Sequence, residues 1–477
     1  MQHDTPHMPP GKLPLAKKIG WGVGGLVENF MSNGIVLLAL PIFNIGLGVN
    51  AVWLGWALAL PRLIDAFLDP VIGNISDNTR SRWGRRRPYV FIGGMACALF
   101  FALVWLPPLG WSQTAVFTYF AVMSFCYYLS LSLFSVPYNA LGIELTEDYT
   151  ERTNVQAWRF FFISISGIAV AWIYKLSFHP FFTGGAEGPS GHPEVIGVRG
   201  VAICTALLIM LAALVPFFMS RESAASQKQQ KITLWPALRM TFTNKAFLLL
   251  STLIIVALLG TFMVEPFALY IGIYHVFDGN KEMAATMAGW IGVAKNAGSI
   301  LAIPVISWIA ARIGKKNTLF VGQGLLAVSF LSSWVCFTPA APWLMVVPFV
   351  FLAPGLTCFM IMGGSMLGDV CDQDELEHGM RREGMFGAAA GFVGKFAFSL
   401  VTVLNGYLLA FAGFNPELTA QSGGTVLSLR LMFVFVPLVL LAASLILTLW
   451  FPIGKRRAAE IRAALNARQT PAISNPL

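Results

Sequence analysis

Apolar stretches long enough to cross a bilayer, about 20 residues each, recur along nearly the whole of this sequence, and no other feature limits its fold so tightly. Twelve of them lie at roughly 20–46, 51–75, 88–108, 114–143, 155–178, 198–219, 246–274, 284–311, 317–336, 342–366, 385–412 and 427–452. Lipid offers no hydrogen bond to a bare peptide group, so each stretch must be a helix. Nothing in the pattern resembles the short alternating strands of a barrel. Only 12% of the 477 residues are charged, and the mean hydropathy is +0.68, which sets the chain apart from water-soluble domains of this size. The first stretch is too long for the core of a signal peptide and no small-residue cleavage site follows it, so it is expected to remain as the first span. The expected fold class is an all-α membrane protein with twelve transmembrane helices.

A net charge of +9 invites a nucleic-acid partner, but the positions of the charges argue otherwise. Of the 32 Lys and Arg, 24 fall in one alternating set of loops and the two termini, and the other set holds only Arg199 and Lys281. That asymmetry is the positive-inside rule, so both termini are expected in the cytoplasm and no nucleic acid is implied. The six cysteines are scattered singly, without a CxxC pair or metal-ligand spacing, and read as structural.

The longest polar interruption, Ser220 to Lys245, has six apolar stretches on each side. It suggests an N-terminal six-helix bundle over 1–219, a cytoplasmic linker over 220–245, a C-terminal six-helix bundle over 246–452 and a cytoplasmic tail over 453–477. A faint repeat supports the division: "RWGRRRPYVF" follows the second stretch and "ARIGKKNTLF" follows the eighth. Two related bundles imply a transporter built of repeats, with a substrate site near the midplane between them. The chain has no GxxxxGK phosphate loop, no HExxH and no GxSxG elbow, so neither enzymatic chemistry nor a cofactor is expected. Transport should run on an ion gradient or downhill.

Ionisable residues inside such helices cost a few kcal/mol on insertion scales and are functional by default. At about 100° per residue, Arg62, Asp65 and Asp69 fall within roughly 60° of one another, on one helical face. Two carboxylates one turn apart repel when both are ionised, and a bound H⁺ or Na⁺ relieves the repulsion. Asp65 and Asp69 are therefore the candidate cation-coupling pair, and the candidate ligands if the ion is Na⁺, with Arg62 as a charge partner. The alternative is a buried ion-pair network that only fixes helix packing. Glu28 in span 1, Arg159 in span 5 and Lys295 in span 8 are further intramembrane charges. Glu265 precedes Pro266, where the helix is expected to break. Lys175 and Arg430 sit near span ends and read as snorkelling cations. Lys395 lies among Gly387, Gly391 and Gly394, read as a stripe of close helix approach, and is expected to reach an acidic partner. In the turn after span 2, Asp77 faces a run of arginines that includes Arg85 and Arg87. This turn is either a gating latch or a plain positive-inside turn.

"GNISDNTRSRWGRRRP" resembles the signature carried by major facilitator proteins between their second and third helices. More narrowly, "DAFLDPVIGNISDNTRSRWGRRRPY", "FSVPYNALGIELTEDYTERTNVQAWRFFF" and "LGDVCDQDELEHGMRREGMFGAAAGFVGKF" together resemble the glycoside–pentoside–hexuronide:cation symporters. The resemblance implies the major facilitator fold and cation-coupled sugar transport. It places the family's cation-site aspartates on Asp65 and Asp69, its hydroxyl ligand on Ser132, its helix-five arginine on Arg159 and its helix-eleven lysine on Lys395. It also implies a multi-pass protein of the bacterial inner membrane, expected to be monomeric among its lipids.

This chain departs from the family at informative places. Leu68 replaces an asparagine that assists Na⁺ binding, which leaves H⁺ or Na⁺ open. Asn29 and Ser135 stand where the galactoside-transporting member has sugar-gripping carboxylates, and Asn139 where it has a stacking tryptophan. Asn29, Ser135 and Asn139 still offer hydrogen bonds to sugar hydroxyls. Arg159 and Lys295 bring positive charge that is compatible with a hexuronide. Trp158, Trp290, Tyr128 and Tyr138 are candidate stacking aromatics, or ordinary packing residues. The alternative cargo is a lysolipid or other amphiphile, since animal lysolipid carriers share the "VPY.AL" and "TER" stretches.

Overall fold

The computed structural model describes residues 13–145, 149–220, 243–379, 383–416, 418 and 420–469. Most of the expected linker, the last eight residues of the tail, and 146–148 and 380–382 within two of the family motifs lie outside the described residues.

Among the described residues, twelve helices are long and apolar enough to cross a membrane: Leu15–Gly46, Ala51–Asn78, Arg87–Val104, Gln113–Gly142, Asn154–Leu176, Pro193–Met219, Lys245–Val276, Lys281–Ile313, Lys315–Cys336, Pro342–His378, Met385–Phe411 and Gly423–Trp450. They are numbered here as spans 1 to 12. Span 10 continues to His378, beyond the expected end at 366, because its last turns carry Asp369, Asp372 and Asp374. Polar residues end a hydropathy signal without ending a helix, and the left-handed Gly379, at φ 71°, closes it. Side-chain caps start several spans: Asn50 accepts from the Val52 amide, Asn280 from Met283 and Ser422 from Thr425.

The chain forms two compact units, Met1–Gln230 and Lys231–Leu477. In the first, span 1 packs on spans 5 and 6, span 3 on spans 4 and 6, and span 2 on span 4. In the second, span 7 packs on spans 11 and 12, span 9 on spans 10 and 12, and span 8 on span 10. Each of these pairings reappears six spans later. Spans 1 and 7 also both end in a π-helical segment, Leu40–Gly46 and Gly272–Val276. The faint echo between the turns after spans 2 and 8 thus belongs to a repeat in the helix packing itself.

A helix not foreseen in the tail, Lys455–Gln469, docks on the second unit. Ile461 is buried there, and the Arg462 guanidinium reaches Asp369 at 3.3 Å and Asp372 at 3.6 Å.

Candidate functional site

Span 2 carries Pro61 and Pro70 inside its helix, one immediately before Arg62 and the other immediately after Asp69. Proline has no N–H, so each releases the carbonyl four residues earlier and bends the helix. The acidic turn sits between these two interruptions. Asp65 is buried and Asp69 half-buried, and the fully buried Ser132 of span 4 stands between them. Its hydroxyl contacts Asp65 Oδ1 and lies 2.6 Å from Asp69 Oδ1. A hydroxyl has one proton to donate, so it cannot satisfy two ionised carboxylates at once. It can donate to only one of them at a time. Arg62, one turn earlier, reaches the Ser32 carbonyl at 3.4 Å and lies over the Tyr128 ring, 5.6 Å from its centroid. Tyr128 is one turn before Ser132 on span 4, so it shares that face.

A second cluster joins spans 1, 4 and 5. Gly25 lets span 5 come close: a Cβ there would lie 2.7 Å from the Arg159 carbonyl oxygen. Glu28, three residues on, then meets the Arg159 side chain. Glu28 Oε2 accepts from Arg159 Nη2 at 2.5 Å and Nε at 3.2 Å, and Oε1 accepts from Asn139 Nδ2 at 3.0 Å. Asn139 also donates to the Ser135 carbonyl at 2.9 Å, and Arg159 Nη1 to Gln156 at 3.4 Å. The sequence suggested Arg159 as a receptor for substrate charge; the structure pairs it with a carboxylate of its own bundle.

Lys295 likewise has a carboxylate partner, its ammonium being ion-paired with Glu265. The helix does break beside Glu265, as Pro266 implied, since span 7 is helical over Lys245–Phe262 and resumes at Phe267–Ile271. Asn29 turns to span 5, donating to Ser166 Oγ at 2.7 Å and the Ile163 carbonyl at 3.2 Å, and its oxygen accepts from Asn33 at 2.6 Å. Tyr138 is a core residue rather than a stacking platform. Its ring stacks on Trp21 at 5.0 Å and its hydroxyl donates to the Trp21 carbonyl at 2.9 Å.

Lys395 lies on span 11, where its carbonyl accepts from Ser399 at 2.9 Å. The expected stripe of close approach beside it does not hold: a Cβ at Gly387, Gly391 or Gly394 would meet no other atom within 4 Å among the described residues. Arg430 donates to the Trp334 carbonyl at 2.9 Å and lies over the Trp334 ring, as a cation near a span end does. In the turn after span 2, the described ion-pair partner of Asp77 is Arg86, at 2.6 Å, and not the neighbouring Arg85 or Arg87 named as candidates. Arg87 instead donates to the Phe217 carbonyl at 2.7 Å and stacks on that ring. Sequence spacing does not single out one arginine in such a run.

The second bundle has a counterpart clip that the sequence reading missed. Lys315, in the repeated Gly-plus-cations turn, binds the buried Asp369 at 2.6 Å. The repeat itself was the available signal.

A family profile described as MFS/sugar transport protein matches residues 20–455. The chain is 23% identical to the glucuronide carrier protein homolog of Escherichia coli (strain K12), over 94% of this chain and 95% of that protein. It is 24% identical to the isoprimeverose transporter of Lactiplantibacillus pentosus, over 93% and 90%. The D-xylose–proton symporter has a similar structure, with a TM-score of 0.63 at 15% identity, over 89% of this chain and 96% of that one. Its fold is therefore the major facilitator fold, and its relatives are transporters rather than enzymes. The chain is a multi-pass membrane transporter that belongs to the MFS/sugar transport protein family and, within the major facilitator superfamily, to the glycoside–pentoside–hexuronide:cation symporters.

Proposed function

We propose that this protein couples the uptake of a sugar or glycoside to H⁺ or Na⁺ by alternating access, in the bacterial inner membrane with both termini in the cytoplasm. The observation that carries the reading is the meeting of Asp65, Asp69 and Ser132, where one hydroxyl proton faces two carboxylates. With both acids ionised, the turn holds one more negative charge than Arg62 supplies, and a single monovalent cation balances it. Leu68, between the two acids, removes the amide that would favour Na⁺ in the family pattern.

The polar strip of Glu28, Asn139 and Arg159 supports a hydroxyl-rich cargo over an amphiphile, because an acyl chain gains nothing from such groups. Relatives named for a glucuronide and for isoprimeverose are similar to this chain at nearly the same identity, so likeness alone does not choose the sugar.

The test is uptake into proteoliposomes across a panel of hexuronides, pentosides, disaccharides and lysophosphatidylcholine, with Na⁺ and H⁺ gradients imposed separately. Gradient-driven accumulation of a sugar is the expected result. Carriage of lysophosphatidylcholine with no sugar uptake would replace the reading with that of an amphiphile carrier.

A further inference from the structure

Each of the two cations that the sequence offered to an acidic substrate already has a carboxylate from its own bundle. Arg159 is held by Glu28, and Lys295 by Glu265. The first pair is the more closely built. Both Glu28 oxygens are occupied, one by two guanidinium nitrogens and the other by the Asn139 amide. The Asn139 –NH₂ is itself spent, on Glu28 and on the Ser135 carbonyl. What Glu28 and Asn139 still present is acceptor capacity: carboxylate lone pairs and the Asn139 amide oxygen. Sugar hydroxyls donate to such groups, whereas a second carboxylate brought beside them meets like charge and more acceptors.

We infer that Glu28 is a specificity-determining residue that restricts the carrier to uncharged sugars by neutralising Arg159. The inference rests on the sugar-symport reading above and deepens it, from sugars in general to neutral glycosides and pentosides against their uronate counterparts. Charge balance agrees with it. The Glu28–Arg159 pair is neutral, so no fixed positive charge there awaits a substrate anion. One cation bound at Asp65 and Asp69 then travels with a neutral sugar, and each turnover moves one positive charge. A uronate carried with one cation would move none.

The test uses the full chain in proteoliposomes and compares methyl glucoside, methyl xyloside and methyl glucuronide, in both anomers. The wild type should take up a neutral glycoside at least about tenfold more effectively than the glucuronide, since a substrate carboxylate gains no cation from the neutralised Arg159 and must shed its own hydration beside groups that only accept. An inside-negative potential set with K⁺ and valinomycin should stimulate that uptake. Glu28→Gln keeps the shape and the Asn139 bond but leaves the Arg159 charge unbalanced. It should lower the neutral-to-acidic ratio by about tenfold or more, through KM for the glucuronide. The double variant Glu28→Gln, Arg159→Gln should restore the neutral preference.

Equal wild-type uptake of glucuronide and glucoside would overturn the inference and leave sugar symport standing. So would an unchanged ratio in Glu28→Gln, or potential-independent uptake with the glucuronide as the preferred sugar. Uptake of lysophosphatidylcholine with none of the three sugars would overturn the symport reading and this inference with it. If Glu28→Gln fails to fold, the wild-type ratio and its response to potential decide the matter alone.

Discussion

The two bundles share a plan of helix pairing but not a plan of charge. Span 2 holds Arg62, Asp65 and Asp69 between two prolines, and its counterpart, span 8, holds Lys295, Asn296 and Pro304 with no acid between Glu282 and its end. Span 1 sends Glu28 to Arg159 on span 5, whereas span 7 sends Glu265 to Lys295 on span 8. Packing of apolar faces is tolerant, so a pairing scheme can repeat while side chains drift. An ionised group in a span costs about 2.5–3.5 kcal/mol on insertion scales, and a second carboxylate one turn away adds repulsion. An acid pair inside the apolar stretch of a span is therefore the expensive feature: span 2 carries one, whereas Asp369 and Asp372 of the second bundle lie past the apolar stretch of span 10 and are met by Lys315 and Arg462. The repeated part of this molecule is its scaffold, and the unrepeated part is where ion chemistry should be sought.

The largest expected effect breaks that asymmetry directly. A neutral substrate coupled to one cation accumulates about fiftyfold at 100 mV, from the charge moved across the membrane. Asp69→Asn should reduce accumulation to the equilibrium level while the protein stays folded and downhill exchange persists. Glu265→Gln, in the other bundle, should leave accumulation well above that level. Uphill uptake undiminished in Asp69→Asn would remove the coupling role from span 2.

Ser132 comes next. Ser132→Ala removes the hydroxyl between the two carboxylates and should raise the cation concentration for half-maximal uptake by about tenfold, the scale of a hydrogen bond to a charged group. Ser132→Thr should keep the wild-type value. Cation dependence unchanged in the alanine variant would leave Ser132 as a packing residue.

Much of this architecture could be read in advance because lipid leaves the backbone one choice. Spans 1 to 12 follow from hydropathy, and the shared face of Arg62, Asp65 and Asp69 follows from helical periodicity. Contacts between helices distant in sequence were not legible. Arg159 looked available for a substrate because nothing in a hydropathy pattern says that Gly25 lets span 5 close on span 1 and brings it to Glu28. The stripe of Gly387, Gly391 and Gly394 was legible as small residues but not as residues facing open space. The end of span 10 was hidden for another reason: a helix that leaves the apolar layer keeps its hydrogen bonds while its side chains turn polar.

The turns after spans 2 and 8 differ at smaller scale. The first bundle closes its turn with Asp77 on Arg86, and the second with Asp369 on Lys315, reinforced by Arg462 from the tail helix. Asp77 is 44% exposed on its side chain and Asp369 4%, so water screens the first clip more than the second. Asp77→Asn should change the ratio of efflux to exchange rates by about threefold, the scale of a partly exposed pair. Asp369→Asn, which leaves Lys315 with less compensation, should cost more, in thermal stability as well as in rate. Unchanged efflux and exchange in Asp77→Asn would reduce that turn to a topological signal.

The smallest effect concerns a tie outside the membrane layer that the second bundle does not repeat among its described ion pairs. Just before span 5, Glu151 accepts from Lys18 at 2.6 Å and from the Leu13 amide at 3.2 Å. The Lys18 hydrogen bond, joined by those from Leu13 and Asn154, holds its carboxyl below the usual carboxylate range. A group depressed on folding stabilises the native state above its unfolded pKa, and that contribution fades as pH falls through the folded value. Lys18→Met removes one partner of a largely buried pair and should therefore lower the thermal midpoint of the detergent-solubilised protein by at least about a degree near pH 7. The difference from wild type should shrink below about pH 4, where the unfolded carboxyl takes up its proton, and vanish once the folded one is protonated too. A difference that persists unchanged at the lowest pH would assign the effect to packing of the lysine stem, with no part for the carboxylate.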